Sequence, residues 1–248
     1  MKKQLVVITY IAGESQGQEI ALALEGWKQH FKEPCHIVVV GDVPPVPNIE
    51  VLPVARMSEK DGEYRPHLDI CKKLRDVCLA YGGEYDSFIW ASDDCYAVND
   101  FTLADVMTPK FYANEMPPKG ENHFNPWWRN LVKTRKLCEK EGYGVVNWVT
   151  HLPLYFRIEE LLQTINDYNL TENSYVVENI VYNRFKPQGT PEKLNEQDRW
   201  KFPVYFTPLD REGFKNALAS KIWVTNSVNG WSDALAQELW LHYNKNKG

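Results

Sequence analysis

The stretch that most constrains the fold is a short apolar run that ends on polar and acidic residues. Phe88-Ile89-Trp90-Ala91 is followed at once by Ser92-Asp93-Asp94. An apolar run of this length between polar residues predicts a strand that is buried on both faces, as in a parallel sheet covered by helices. The two carboxylates then lie at the carboxyl end of that strand, where open α/β sheets bind their ligands.

Adjacent carboxylates at such a position have two interpretations. They repel each other unless a cation, a basic side chain or a proton relieves the repulsion. A Mg²⁺ or Mn²⁺ ion that is held by one or two carboxylates and by substrate phosphates suits such a pair. Alternatively, Asp93 and Asp94 form a turn that happens to follow a strand. The pair alone does not decide between a metal site and a turn.

The residues before this run predict an α/β arrangement. Apolar strands over 3–10, 35–42 and 50–54 are interleaved with amphipathic helices over 18–31 and 65–81. This pattern predicts parallel strands with right-handed crossovers, in a single compact α/β domain whose mixed sheet is flanked by helices. The basic residues of the second helix are candidates to reach a diphosphate near the acid pair, or are solvated helix charges: Arg65, Lys72 and Lys73.

The second half of the chain carries a further polar segment. Residues 144–156 predict a strand that ends in Thr150-His151-Leu152-Pro153 and passes into a helix over 158–168. A histidine in such a position is a metal ligand, a phosphate or hydroxyl contact, a base or a structural residue. The helix predicted over 176–185 carries Glu178, which is either an exposed helix residue or a carboxylate of the site.

Net charge and cysteine usage limit the class of protein. The net charge of −5 gives no overall basic field for nucleic acid or an anionic membrane. The predicted helix over 126–141 nevertheless concentrates basic and aromatic side chains: Trp127, Trp128, Arg129, Lys133, Arg135 and Lys136. The cysteines form no CxxC pair, and we find neither a signal peptide nor a transmembrane segment, so we expect reduced thiols and a cytoplasmic location.

In its order of elements the chain resembles the GT-A glycosyltransferases, which are nucleotide-sugar enzymes that usually depend on Mn²⁺ or Mg²⁺. The resemblance rests on Ser92-Asp93-Asp94, as a DxD-like motif after the fourth strand, and on Thr150-His151-Leu152-Pro153 as a downstream segment near the active site. It implies a Rossmann-type, GT-A-like domain with a nucleotide-sugar-binding half over 1–108 and an acceptor-binding half over 109–248. Ser92 stands where the usual motif has its first acid.

The resemblance also implies how the donor would bind. Asp94 matches the acid that ligates the metal ion, and His151 is a second candidate ligand. Asp93, with Ser92 beside it, would contact the hydroxyls of the ribose or the sugar. Arg65 and Lys72 would approach the diphosphate in the same cofactor-binding set.

Three further residues receive roles from the same resemblance. Thr9 and Tyr10, at the end of the first strand, would hold the nucleoside, with Tyr10 stacked on the base. Glu178 would be the catalytic base that activates the acceptor hydroxyl, and Asp93 is the other catalytic candidate.

We therefore expect a hexosyl- or pentosyltransferase that moves a sugar from a nucleotide-diphosphate donor, above all a UDP-sugar, to an acceptor hydroxyl. The acceptor is a surface glycan or a hydroxymethylated base in phage DNA, in which case the enzyme acts in the host cytoplasm and helix 126–141 would face the DNA. Two other functions stay open. A nucleotidyltransferase is disfavoured because loop 11–17 lacks Arg and Lys, and Ser92 favours a catalytically inactive sugar-nucleotide-binding module.

Overall fold

The computed structural model describes residues 3–57, 66–121, 123–187, 189–195 and 197–245. Its helices are α1 (Glu19–His30), α2 (Pro66–Tyr81), α3 (Leu103–Met107), α4 (Pro126–Lys140), α5 (Ile158–Asp167), α6 (Val177–Phe185), α7 (Arg211–Ser220) and α8 (Asp233–Lys245). Its strands are β1 (Gln4–Tyr10), β2 (Cys35–Gly41), β3 (Glu50–Pro53), β4 (Ser87–Ser92), β5 (Cys95–Ala97), β6 (Lys110–Phe111), β7 (Leu154–Arg157), β8 (Glu192–Lys193), β9 (Lys201–Val204) and β10 (Trp223–Asn226).

A five-stranded mixed sheet forms the centre of the fold. Its strand order is β3-β2-β1-β4-β7, in which the first four strands are parallel and β7 runs antiparallel to β4. In this register Thr9 pairs with Ser92 on one side and with Val40 on the other, so the carboxyl ends of three strands are level. The prediction of a mixed α/β sheet flanked by helices is confirmed.

Helices cover both faces of this sheet because the side chains of its strands alternate between two apolar clusters. Leu5 and Val7 of β1 belong to the cluster that contains Leu74 of α2. Val6 and Ile8 belong instead to the cluster of α1. All four β1 side chains are fully buried, which explains why β1 reads as a continuous apolar run.

The predicted halves 1–108 and 109–248 share their sheets. In the central sheet β4 pairs with β7, and in a three-stranded sheet of order β5-β10-β9 strand β5 pairs with β10. The β4–β7 and β5–β10 pairings each join a strand before residue 108 to a strand after it, so the second half completes sheets that the first half begins. Within the described residues, no helix is both long enough and apolar enough to cross a membrane.

Two predictions about the second half are wrong. Residues 144–153 are not a strand, and β7 begins only at Leu154, after the Thr-His-Leu-Pro segment. The segment makes only a short stretch of backbone pairing, in which the Asn147 amide donates to the Ala113 carbonyl at 2.9 Å. Two asparagines of helix α6 take other backbone groups, since Asn183 accepts from the Val146 amide (3.0 Å) and Asn179 from the Trp148 amide (2.7 Å). The sequence also predicts an outer strand over 110–116, and the structure limits it to the two residues of β6 and an isolated bridge at Ala113.

Candidate functional site

The strand order reverses between β1 and β4, and this point defines the candidate site. From β1 the chain passes through α1 to β2 on one side, whereas β4 lies on the other side of β1. Open α/β sheets bind ligands in the crevice that forms outside the carboxyl ends of the strands at such a reversal. Here the crevice lies beyond Tyr10 of β1 and Ser92 of β4.

Two adjoining cavities occupy this crevice. The acid cavity has a volume of about 220 Å³, and its polar lining includes Glu19, Asp69, Lys73, Asp93 and Asn226. The aromatic cavity has a volume of about 250 Å³, and its lining includes His67, Trp90, Trp127, His151 and Glu178. Thr9, Pro66, Ile70 and Asp94 line both cavities. The two cavities therefore form one cleft with Thr9 and Asp94 at their junction.

The acid pair lies in the turn between β4 and β5, at the junction of the cavities. The Ser92 hydroxyl donates a hydrogen bond to the carboxylate of Asp94. Burial raises the pKa of Asp93 to about 7, and the neighbouring charges of Asp94 and Glu19 act in the same direction, while a hydrogen bond from Ser15 opposes them. A second negative charge at this position is therefore unfavourable without a cation or a proton.

Glu19 lines the acid cavity together with Asp93 and Asp94, and the sequence did not identify it as a site residue. Its carboxylate is buried and accepts hydrogen bonds from the Gln16 amide (2.5 Å) and from Asn226 Nδ2 (2.7 Å). Burial raises the pKa of Glu19, and these hydrogen bonds oppose the rise. Asn226 is in turn fixed by the Tyr96 hydroxyl, which donates to its Oδ1 at 2.5 Å. No local pattern in the sequence predicts this contact, because Glu19 and Asn226 are 207 residues apart.

The buried cation of the acid cavity is Lys73. Its ammonium pairs with Asp69, and the two side chains are only 2% and 4% exposed. Asp69 also accepts a hydrogen bond from the Met57 amide at 3.1 Å. Lys72, which the prediction assigned to the diphosphate together with Arg65, instead donates to the Ala55 carbonyl (3.0 Å) and lines neither cavity, because one residue along a helix is a rotation of about 100°. Arg65 lies outside the described residues.

Two buried titratable side chains line the aromatic cavity. Glu178, in the first turn of α6, is 8% exposed, and burial raises its pKa to about 7, although its own backbone N–H opposes the rise. His67 is also buried, and burial lowers its pKa to about 4. The Asn130 side-chain amide donates to His67 Nδ1 at 3.0 Å. The alternative that Glu178 is an exposed helix residue is excluded.

His151 lies at the rim of the aromatic cavity with a left-handed backbone (φ 55°), an uncommon conformation for a residue other than glycine. The residue is exposed, yet enough protein surrounds its ring to lower its pKa. The charge of Lys201 acts in the same direction, and that of Asp94 opposes it. Lys201 donates to the Thr150 carbonyl at 2.9 Å, which ties β9 to the Thr-His-Leu-Pro segment.

The acid pair offers two carboxylates to the expected metal ion. No three His, Cys, Asp or Glu side chains among the described residues converge on a point that would hold a metal. Two adjacent carboxylates whose joint ionisation is unfavourable do fit a Mg²⁺ or Mn²⁺ ion that takes most of its ligands from water and substrate phosphates. Such an ion needs only one or two protein carboxylates.

Of the two residues predicted to hold the nucleoside, Thr9 faces the cleft and Tyr10 is buried in the core. Thr9 lines both cavities, and its hydroxyl accepts a hydrogen bond from Trp90 Nε1 at 3.3 Å. Tyr10 is only 6% exposed and packs in the apolar cluster of α1. Because both faces of a core ring are already covered, Tyr10 offers no open surface on which a base would stack.

The basic side chains of α4 are largely occupied by local partners. Arg135 pairs with Glu115 (3.0 Å) and Glu139 (2.7 Å), and Lys136 pairs with Glu121. Lys133 lies over the ring of Tyr175, with its Nζ 4.2 Å from the ring centroid. These acids offset the positive field that the sequence suggested for this helix.

Comparison with known proteins adds no family assignment. No protein-family model matches the chain, and no curated protein matches its sequence.

Proposed function

We propose that this chain is a metal-dependent glycosyltransferase with a GT-A-like arrangement, which moves a sugar from a nucleotide-diphosphate donor to an acceptor hydroxyl. The observation that carries the proposal is the junction of the two cavities. Asp93 lies on one side of the junction formed by Thr9 and Asp94, and a buried carboxyl group, Glu178, lies on the other. A transfer reaction between two substrates needs two such adjoining subsites.

In this proposal the acid cavity receives the donor, a UDP-sugar in the first instance. Asp94, with Asp93 beside it, would hold Mn²⁺ or Mg²⁺, and Asp93 would also be positioned to contact a ribose or sugar hydroxyl. The ion, when bound, supplies a positive charge that stabilises the diphosphate as it leaves. His151 shares the aromatic cavity with Asp94 and would complete the contacts near the ion.

The aromatic cavity would receive the acceptor. Glu178 would accept the proton of the acceptor hydroxyl as that oxygen forms a bond to the anomeric carbon and the bond from this carbon to the diphosphate breaks. A general base works best when its pKa is near the operating pH, and that of Glu178 is raised to about 7. Trp90 and Trp127 supply flat walls against which a sugar ring packs.

The pairing of two of the α4 cations with glutamates lowers the positive charge that this helix offers to DNA, which favours a glycan over modified DNA as the acceptor. Duplex DNA is bound mainly through contacts between basic side chains and phosphates, and each contact adds to the salt dependence of binding. Arg135 and Lys136 are already paired with glutamates. A neutral or weakly charged carbohydrate acceptor places no such demand on α4.

A second candidate, a catalytically inactive sugar-nucleotide-binding module, is favoured by one observation. Ser92 stands where the usual acidic motif has its first acid. Such a module would bind a nucleotide-sugar without cleaving it, and Glu178 would then have no role in catalysis.

Thermal shift with UDP-, GDP-, TDP-, CMP- and ADP-sugars, with and without Mn²⁺, tests both candidates. The proposal requires that one nucleotide class raises the melting temperature and that Mn²⁺ increases this shift. If no nucleotide stabilises the protein under either condition, both the glycosyltransferase and the binding module are wrong. Detection of free sugar or free nucleoside diphosphate with the stabilising donor then separates the enzyme from the module.

A further inference from the structure

A stack of three aromatic rings stands beside the aromatic cavity and has no role in the site described so far. We call His123, Phe124 and Trp128 the aromatic platform. The His123 ring lies between the other two, with its centroid 4.4 Å from that of Phe124 and 5.3 Å from that of Trp128, at interplanar angles of 27° and 29°. Phe124 is 87% exposed and Trp128 37% exposed, so the stack presents apolar ring surface to solvent.

The platform is held in place by a set of local hydrogen bonds. Arg129 Nη1 donates to the carbonyls of His123 (2.6 Å) and Phe124 (3.3 Å). The Asn125 amide donates to His123 Nδ1 at 3.1 Å, and Trp128 Nε1 donates to the Lys119 carbonyl at 3.3 Å. Asn125 also caps the start of α4 by accepting from the Trp127 amide at 2.9 Å. The rings are therefore fixed to the first turn of a helix.

Gly120 brings the preceding loop against the platform. Its backbone has φ 128°, a conformation that residues with a side chain rarely adopt, and a Cβ atom there would lie 2.6 Å from Trp128 Nε1. The close approach of Gly120 sets the position of the indole ring. The exposed stack is thus a shaped surface rather than a set of unrelated side chains.

The platform begins one residue from the wall of the aromatic cavity, on a neighbouring face of α4. Trp127, which lines that cavity, immediately precedes Trp128 in the first turn of α4. Two of the nearby cations are paired with acids, since Lys136 pairs with Glu121, and Arg135 with Glu115 and Glu139. Arg129 is bonded to the backbone carbonyls of the platform and leaves the ring of Phe124 exposed. An exposed ring face suits a ligand that has flat C–H faces, which is the chemistry of a sugar ring.

We propose that the aromatic platform binds a second sugar unit of the acceptor, so that the acceptor is an oligosaccharide whose reacting end enters the aromatic cavity and whose next unit stacks on the exposed ring of Phe124 at the outer end of the stack. This inference rests on the proposed glycosyl transfer and adds the acceptor class to it. Stacking on an aromatic ring contributes about 0.5–1.5 kcal/mol beyond area burial, or about two- to tenfold in affinity.

Tryptophan fluorescence titration with mono-, di- and trisaccharides of glucose, galactose, mannose and N-acetylglucosamine tests the inference, with a single-stranded deoxythymidine decamer as the competing ligand. The expected result is that at least one trisaccharide binds about two- to tenfold more tightly than its monosaccharide. Phe124→Ala and Gly120→Ala should remove this gain without changing the affinity for the monosaccharide. Leu79→Ala, which shortens an exposed apolar side chain on α2, should leave the gain intact.

Three outcomes would overturn the platform. They are trisaccharides that bind no better than monosaccharides, a gain that persists in both Phe124→Ala and Gly120→Ala, and binding of the decamer alone that depends on Phe124, which would favour nucleic acid. The shift of the melting temperature by a nucleotide and Mn²⁺ is measured on the same samples. If nucleotide and Mn²⁺ raise the melting temperature but affinity does not increase from mono- to trisaccharide, the platform alone is disproved. If they do not raise the melting temperature, the proposed function is disproved.

Discussion

Ser92 and Asp94 are joined by a hydrogen bond from the serine hydroxyl to the aspartate carboxylate. Ser92 stands where the usual acidic motif has its first acid, and this contact gives it a physical role. A hydroxyl in that position orients the carboxylate without adding another negative charge to a cluster that already contains Asp93, Asp94 and Glu19. The departure from the motif is therefore compatible with a site for a divalent ion.

Substitution of Asp94 should abolish the Mn²⁺-dependent part of nucleotide binding. In Asp94→Ala the carboxylate that lines both cavities is lost, so the ion loses its principal protein ligand. The melting-temperature shift with nucleotide and Mn²⁺ should fall to the value measured with nucleotide alone. Ser92→Ala is the matched control and should keep most of the shift, because it removes only an orienting hydrogen bond worth about 0.5–1.5 kcal/mol. Equal losses in both variants would contradict the assignment.

Asp93 should make the protein less stable as the pH rises from about 4 to about 7. Its pKa is raised from 3.8 to about 7 in the folded chain, so in that range the folded state holds a proton that the unfolded state has lost. Asp93→Asn, which resembles the protonated form, should be more stable than the parent at pH 8 by about 1–3 kcal/mol and nearly equal at pH 4. Urea unfolding at the two pH values measures the difference.

A divalent ion should reverse this trend. Because the ion favours the ionised carboxylate, Mn²⁺ should stabilise the parent protein more at pH 8 than at pH 5. Asp93→Asn should show a smaller dependence of the Mn²⁺ effect on pH. A Mn²⁺ effect that is the same at both pH values would contradict an ion at the acid pair.

Glu178→Gln should impair transfer while leaving the donor in place. The amide cannot accept the acceptor proton, so kcat should fall by about 10²–10⁴-fold, whereas the nucleotide-induced melting shift should be unchanged. In the parent enzyme the rate should rise with pH and level off above about 7, as Glu178 loses its proton. A Glu178→Gln enzyme that keeps both the rate and this pH profile would exclude Glu178 as the base.

Lys73 and Lys72 offer a matched pair for stability. Lys73→Met leaves Asp69 buried without its cation, which should lower the free energy of unfolding by about 3–5 kcal/mol. Lys72→Met removes only a bond to the Ala55 carbonyl near the surface and should cost less than about 1 kcal/mol. Replacing both members, in Asp69→Leu with Lys73→Met, should restore part of the loss. Similar losses in Lys73→Met and Lys72→Met would show that the ion pair between Asp69 and Lys73 does not stabilise the fold.

The first half of the fold was predictable because its signals are local. β1, β2 and β4 are uninterrupted apolar runs, and the apolar residues of α1 and α2 recur at helical spacing. A parallel sheet with helices on both faces follows from that order of elements. The position of the acid pair at the carboxyl edge followed from the same signals.

The parts that were missed depend on contacts between distant residues. The segment 144–153 has the apolar composition of a strand, but Asn179 and Asn183 of α6 take three of its backbone groups. Similarly, the choice between Lys72 and Lys73 depends on how α2 is rotated against the sheet, and the pairing of Asp69 with Lys73 at a spacing of four residues was the available signal. The Glu19–Asn226 contact had no local signal at all.

The most direct test of the central claim is the release of nucleoside diphosphate from a panel of nucleotide-sugars by the purified protein, with Mn²⁺ and with EDTA. We predict that one donor is cleaved in the presence of Mn²⁺, that EDTA stops the release, and that Asp94→Ala abolishes it. No release from any donor in a protein that the same nucleotides stabilise would contradict catalysis and identify a binding module. Release that continues unchanged in EDTA and in Asp94→Ala would contradict the metal-dependent site at the junction of the two cavities.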